Sequence, residues 1–281
     1  MNTTATSQIY EPPGPRARRR HRILAVLFAC CMAAVAAWIF TRLASHGQLA
    51  ADKWSPLIRP GVWTHLLLPG LWGTVKLAVV AGALALAAGL LLGIGRLAGN
   101  APTRWACSTL IEFGRSVPLL LLIIFAQVGS FALIGRAILP FTAVVFGLVI
   151  YNGAVLAEVV RAGVRAVPHG QEEAALALGL KPARVMQKVL LPQALRAMMP
   201  AILMQLVTLL KDTALAFIVS YPELLRSSQL VGNQFTNVVP AALVAAAIYI
   251  LLNVLLTTLA HRIERRRHAI GQEVVAARAQ P

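Results

Sequence analysis

Charge is what this chain is shortest of. Only 13% of its 281 residues are Asp, Glu, Lys or Arg, about half the share of an ordinary soluble domain. Acids are scarcer still, ten against 26 basic residues. Cysteine is limited to Cys30, Cys31 and Cys107, in apolar or juxtamembrane stretches without paired spacing, which argues against both a disulfide framework and a zinc site. There is no Gly-x-x-x-x-Gly-Lys-Ser/Thr phosphate loop, so the chain is not expected to hydrolyse ATP in the usual way. The six histidines fall at termini, loops and the ends of apolar runs. Neither a Ser/His/Asp arrangement nor a metal-ligating cluster can be assembled from them. The chain has no clean internal repeat. It is not expected to be an enzyme.

What is present in quantity is apolar sequence. Hydrophobic residues make up 58% of the chain and the mean hydropathy is +0.72. They come in long runs, which indicates several membrane spans. Spans are expected near residues 23–43, 71–97, 107–127, 141–160, 198–221 and 241–261, giving an all-α membrane protein of about six transmembrane helices. The net charge of +16 could suggest nucleic acid, but its placement excludes that reading. Lys and Arg gather at residues 16–22, 161–196 and 262–267, as expected of cytoplasmic flanks of spans. With both termini inside, 18 basic residues lie inside and six outside. No basic face with aromatic or helical readout accompanies them, so no nucleic acid is expected.

One polar island interrupts the apolar pattern, at residues 167–192. Pro168 and Gly170 break the preceding element, and Glu172 and Glu173 place negative charge in a first helical turn. Ala174, Ala177 and Leu178 recur at helical spacing as one apolar stripe. Gly179 suits a left-handed C-terminal cap and Pro182 the first turn of a second helix. That helix carries Val185, Val189 and Leu190 on one side. On the residues alone, this is either a surface hairpin between two spans or an element built to be gripped by a partner.

The spacing is specific. Glu173-Ala174-Ala175, three residues, Gly179, nine residues, Val189, one residue and Leu191-Pro192 resemble the coupling loop of ABC importer permeases, with Val189 where Ile is usual. Other motifs follow in that family's order. Residues 112–120 resemble its Arg-Gly-Thr-Pro-Leu-Leu stretch, with Ser116-Val117 in place of Gly-Thr. Gly170-Gln171, residues 192–196 (Pro-Gln-Ala-Leu-Arg) and Leu210-Lys211-Asp212-Thr213 are similar to the branch that imports polar amino acids such as glutamate, glutamine and arginine. Tyr151-Asn152-Gly153 and Ala214 depart from the branch's usual residues, and these bear on substrate identity.

The resemblance implies a type I importer permease core at residues 71–262, with a coupling loop at 163–197. Around it are expected a disordered basic cytoplasmic segment 1–22, an extra N-terminal span 23–43 and a cytoplasmic tail 263–281. It also implies partners: a dimer of ATP-binding subunits, a second permease (identical or paralogous) and an extracytoplasmic substrate-binding protein. The substrate would be an amino acid. This chain would hold no cofactor, ATP and Mg being bound by the partner ATPase, and the setting would be a bacterial inner membrane. A secondary transporter or channel without an ATPase is the rival class, and the docking loop argues against it.

Ionisable groups inside spans are costly and so are functional candidates. Lys211 and Asp212 are adjacent, about 100° apart around a helix, and either line the substrate path or form an ion pair that fixes the bundle. Asn152 and Glu158 are further path candidates, and Glu158 can instead pair with Arg161. Glu112 and Arg115, three apart, are expected to form a structural ion pair.

Overall fold

Inside a bilayer every backbone N–H and C=O must find its partner within its own segment, so apolar runs of this length fold as helices. The computed structural model describes residues 14–97 and 99–278, the side chains of 261 and 263–278 excepted. All regular elements among the described residues are helical. The chain divides into two units, residues 1–55 and 56–281.

In the first unit, helix α1 (Pro15–Ser45) is 31 residues long, buries no residue and is apolar enough to cross a membrane. It is longer at both ends than the span expected at 23–43. Pro15 occupies the first turn, where its fixed φ suits a helix start, so the basic residues after it are helical rather than disordered. Residues 1–13 of the expected disordered segment lie outside the described residues. A short helix, Ala51–Trp54, follows, and the Trp54 indole N–H donates to the Gln48 carbonyl at 3.1 Å.

The second unit begins at Pro56, well before the residue 71 expected. Leu57, Val62 and Leu67 are already buried, and the Trp63 indole N–H donates to the Leu57 carbonyl at 2.7 Å. A helical run from Pro60 leads through a π-helical turn (Trp63–Leu67) into α2 (Leu68–Arg96). Next come α3 (Ala101–Ser116) and α4 (Leu119–Ile134), bent by 99° from each other. The third span expected at 107–127, with a kink at Pro118, is therefore two helices with a break. A residue before proline is pushed out of the α region, and Val117 sits at φ −86°, ψ 128°, leaving Pro118 to cap α4.

Helix α5 (Pro140–Arg165) leads to α6 (His169–Ala177), and then a short helix (Pro182–Val185) and a second π turn (Met186–Leu190) feed α7 (Leu191–Asp212). The helical run thus starts at Pro182 rather than at the expected 198. A 3-10 turn (Thr213–Val219) closes it. Helix α8 (Leu224–Gln234), not anticipated, precedes α9 (Val238–Arg278), whose apolar part is Val238–Ala260. Counting the bent pair as one, six helical segments among the described residues are long and apolar enough to cross a membrane.

Both π turns directly precede a Leu-Pro pair, Leu68-Pro69 and Leu191-Pro192. A helical proline cannot donate to the carbonyl four residues back, and its ring collides with that carbonyl. Widening the turn moves the carbonyl aside, so the helix continues through the proline.

The bundle is built on the contact of α2 with α5. A Cβ added at Gly89 would lie 2.6 Å from Leu156 Cβ, and one at Gly93 2.8 Å from Val160 Cβ. Small residues here let the two backbones approach as closely as neighbouring helices in membranes do. Gly89→Ala should therefore lower the thermal midpoint of the solubilised protein, an overpacking cost of about 1–3 kcal/mol. Gly170→Ala, with open space at its Cβ, should leave the midpoint unchanged.

Candidate functional site

The polar island folds as the spacing suggests. Pro168 caps α6 and Glu172 lies in its first turn. At the other end Gly179 has φ +79°. Its N–H donates to the Leu176 carbonyl at 2.9 Å, and the Leu180 N–H reaches back to the Ala175 carbonyl at 3.2 Å. This is the Schellman arrangement that ends a helix with a left-handed residue. Pro182 then opens the next helix in its first turn.

The expected apolar stripe of α6 does not face the protein. Ala175 is the helix's one buried residue, joining Val167, Val185 and Leu190 in the main core. Ala174, Ala177 and Leu178 are exposed, Leu178 to 83%. The second helix packs as expected, with Val185 and Leu190 buried and Val189 half-buried. Gly170, Glu173 and Pro192 are exposed and Leu191 is half-buried. The outcome is a helical hairpin anchored by alanine and valine, holding a small apolar face and Glu173 to the outside.

At the same end of the bundle the acids and arginines pair differently from the expectation. Glu112 and Arg115 form no ion pair with each other. Glu112 meets Arg96 of α2 at 3.1 Å, while Arg115 reaches Glu158 of α5 at 3.3 Å. Glu158 also holds Arg161 at 2.7 Å and Arg96. The physical reason is burial: the Glu158 side chain is only 18% exposed, Glu112 is 66% exposed, and a charge interaction strengthens as water is excluded. Glu158 therefore takes the pairing alternative, enlarged from one arginine to three. The cluster ties α2, α3 and α5 together where α5 runs towards α6.

Lys211 and Asp212 stand at the end of α7 rather than near a span's middle, and they do not pair with each other. Lys211 is exposed and lines a cavity of about 560 Å³ with Tyr249 and Asn253 of α9 and Leu225 of α8. Asp212 points the other way, towards the Asn152 side chain, and one of its carboxylate oxygens is buried without a partner. Asn152 is fully buried, donates to the Leu148 carbonyl at 3.1 Å and accepts from Gln205 at 2.7 Å. Of the four path candidates, Asn152 and Asp212 come together, Lys211 lies on another face, and Glu158 belongs to the ion cluster.

Sequence reasoning missed Gln205, Tyr249, Asn253 and Glu223. Gln205 was signalled by an amide inside the apolar run of α7, and Tyr249 and Asn253 by their four-residue spacing on α9. Glu223 is fully buried and caps α8, accepting the N–H of Leu225 and of Arg226, both at 2.7 Å. The Tyr249 hydroxyl donates to it at 2.7 Å. Beside it, the Leu224 N–H donates to Thr74 of α2 at 3.1 Å.

Helices of this length and apolarity, bundled with a polar hairpin at one end, define a multi-pass membrane protein. Residues 85–269 match the binding-protein-dependent transport system inner membrane component family, and the chain belongs to that family. It is 45% identical over 229 residues to the glutamate transport system permease protein GluD of Corynebacterium glutamicum, covering 81% of this chain and 84% of that one. It is 32% identical to the arginine transport system permease protein ArtQ of Bacillus subtilis, over 69% of this chain and 88% of that one. Among solved structures it resembles an amino acid ABC transporter crystallised with histidines (TM-score 0.68, 31% identity, 73% of this chain and 95% of that one). It shares its fold with the MetNI methionine transporter (TM-score 0.64, 24% identity, 74% and 98%). The all-α, MetI-like importer-permease fold expected from the sequence is the one observed.

Burial pushes the Glu223 carboxyl above its ordinary value, against the pull of the Leu225 N–H, the Tyr249 hydroxyl and the Arg226 N–H. A carboxyl raised on folding contributes stability that is complete below the unfolded value of about 4.5 and lost as pH climbs through the folded one. Glu223→Gln keeps a capping acceptor but does not titrate. The variant's thermal midpoint relative to wild type should therefore rise between about pH 5 and about pH 7.5. A pH-independent difference would contradict this.

Proposed function

We propose that this chain is the permease subunit of an ATP-driven importer for polar amino acids of the glutamate, glutamine and arginine class. The observation that carries the reading is α6 with its turn at Gly179: a hairpin seated by Ala175, Val185 and Leu190 that presents Ala174, Ala177, Leu178 and Glu173 outward. Such a face suits the groove of a cytoplasmic ATP-binding subunit. The likeness to glutamate, arginine and glutamine permeases supports the substrate class.

In this reading two ATP-binding subunits dock on the hairpins of two permeases, whether identical or paralogous. ATP and Mg are held by those subunits, and an extracytoplasmic protein delivers the amino acid. The setting is a bacterial inner membrane. The excess of Lys and Arg on α6's side of the bundle supports a cytoplasmic setting for that side and for both termini. Gly170, Glu173, Ala174, Ala175, Gly179, Val189, Leu191 and Pro192 form the coupling loop. Motion of the ATPases enters at α6 and reaches the bundle through Val185 and Leu190, which are continuous with the core of α5 and α7. Asn152, Lys211 and Asp212 serve the substrate path. Glu158 stands in the ion cluster and holds α2, α3 and α5 in register.

A β-branched side chain at Gly179 opposes its positive φ. Gly179→Val should leave membrane insertion normal while cutting uptake by about tenfold or more relative to ATP hydrolysis. Unchanged substrate-stimulated ATPase and uptake in the reconstituted complex would refute the coupling role.

Lys211 is exposed and makes no ion pair among the described residues, and Asp212, which feels its charge, keeps the Asn152 side chain as a partner without it. Lys211→Met should accordingly express at wild-type level, yet take up amino acids at a lower rate and with an altered preference among acidic, neutral and basic side chains. Uptake competition assays at matched protein amounts check both points, and an unaltered preference would remove Lys211 from the path.

A further inference from the structure

Helix α1 of the first unit starts on a cluster of like charges. Arg16, Arg18, Arg19, Arg20 and Arg22 stand in its opening turns, all of them exposed. The helix carries no acid along its length, and the sequence has none between Glu11 and Asp52. Two local effects oppose a helix at this place. The positive end of the helix dipole repels cations in the first turn. Arg16 and Arg20 are four residues apart, as are Arg18 and Arg22, so like charges face each other along two sides. The backbone is nevertheless helical from Pro15 onward, and an anion seated among the guanidinium groups would relieve both penalties.

The apolar stretch that follows fixes the depth of these charges. Residues 23–40 are uncharged, and at about 1.5 Å per residue they span about 27 Å. That length is close to a hydrocarbon layer about 30 Å thick. Trp38 marks the far edge, with the Arg42 guanidinium 5.8 Å from its ring centroid, and tryptophan of this kind sits at headgroup level. Arg22 therefore stands at the near edge, Arg18 about 6 Å further out and Arg16 about 9 Å. The cluster runs through the layer that holds the lipid phosphates. At 3.6 residues per turn, Arg16 and Arg20 share one side of the helix, Arg18 and Arg22 the opposite side, and Arg19 lies between.

We propose that this arginine collar is a binding site for the headgroups of anionic phospholipids, with one lipid phosphate on each of its two paired faces. The planar fork of a guanidinium matches two phosphate oxygens at once. A collar charged on opposite sides, at headgroup depth, suits lipids that surround a helix better than an acidic protein that would meet one side. Basic clusters at the end of a span gain affinity for anionic lipid with each added residue. The inference goes beyond the importer reading and does not depend on it.

The test uses the full chain in vesicles, with a bimane fluorophore on Cys30, which is exposed, after Cys31→Ser and Cys107→Ser. Cys30 lies about 12 Å along the helix from Arg22, level with bromines placed midway along an acyl chain. Quenching by brominated phosphatidylglycerol, set against brominated phosphatidylcholine, then reports which lipid sits beside α1. With the native arginines, phosphatidylglycerol should be preferred by about tenfold at low salt, and added salt should weaken that preference. Arg16→Gln combined with Arg20→Gln should cut it by about threefold or more, while Arg18, Arg19 and Arg22 remain to set the topology. Inorganic phosphate should displace the lipid no better than chloride at equal ionic strength. Equal quenching by the two lipids overturns the proposal, as does a preference that the inserted double variant keeps in full. Selective displacement by inorganic phosphate also overturns it, because the collar would then bind free phosphate rather than lipid.

Discussion

The close approach of α2 and α5 governs what the rest of the second unit can do. Lipid tails are as apolar as the side chains of a span, so helices in a bilayer associate through packing rather than through escape from water. Here packing is achieved by glycine: Gly89 and Gly93 leave room for Leu156 and Val160, and Gly153 lets Ala88 and Ala85 in from the other side. With the two axes held this close, Arg96 at the end of α2 reaches Glu158 on α5, and the ion cluster follows. At the other end, Gly73 of α2 lies against the Pro222 carbonyl, which positions Glu223 to cap α8 and Thr74 to receive the Leu224 N–H.

What was legible in the sequence was local. The helix stop at Gly179 and restart at Pro182, and the packing side of Val185 and Leu190, depend on backbone preference and periodicity within one turn or one face. The stripe of Ala174, Ala177 and Leu178 was also read correctly as a stripe. Periodicity shows that a face is apolar but not whether the chain itself covers it, and here the face is left uncovered. The break at Val117-Pro118 was read as a kink, since a proline alone does not say how far the next helix swings.

Pairing between distant segments was the least legible. Glu112 and Arg115 look like partners at three-residue spacing, yet better-buried partners arrive from other helices, Arg96 of α2 for Glu112 and Glu158 of α5 for Arg115. Gln205 and Asn152 are likewise partners only because α5 and α7 pack. The buried acids follow one rule whether or not it was foreseen: Glu158 is surrounded by guanidinium groups and Glu223 by three donors. The exception is Asp212, with one oxygen unpartnered beside Asn152, and it stands in the segment assigned here to the substrate path.

The break that separates α3 from α4 also bears on the lipid. With 16 residues and about 1.5 Å of rise for each, α4 reaches about 24 Å, short of a hydrocarbon layer about 30 Å thick. Helix α5 beside it, and α2 on which α5 packs, have 26 and 29 residues and meet no such shortfall. The bilayer is therefore asked for different thicknesses on different sides of one protein, and acyl chains next to α4 must shorten or tilt to cover it. Mismatch of this kind costs fractions of a kcal/mol per Å, enough to make the flank of α4 the place where membrane composition is felt.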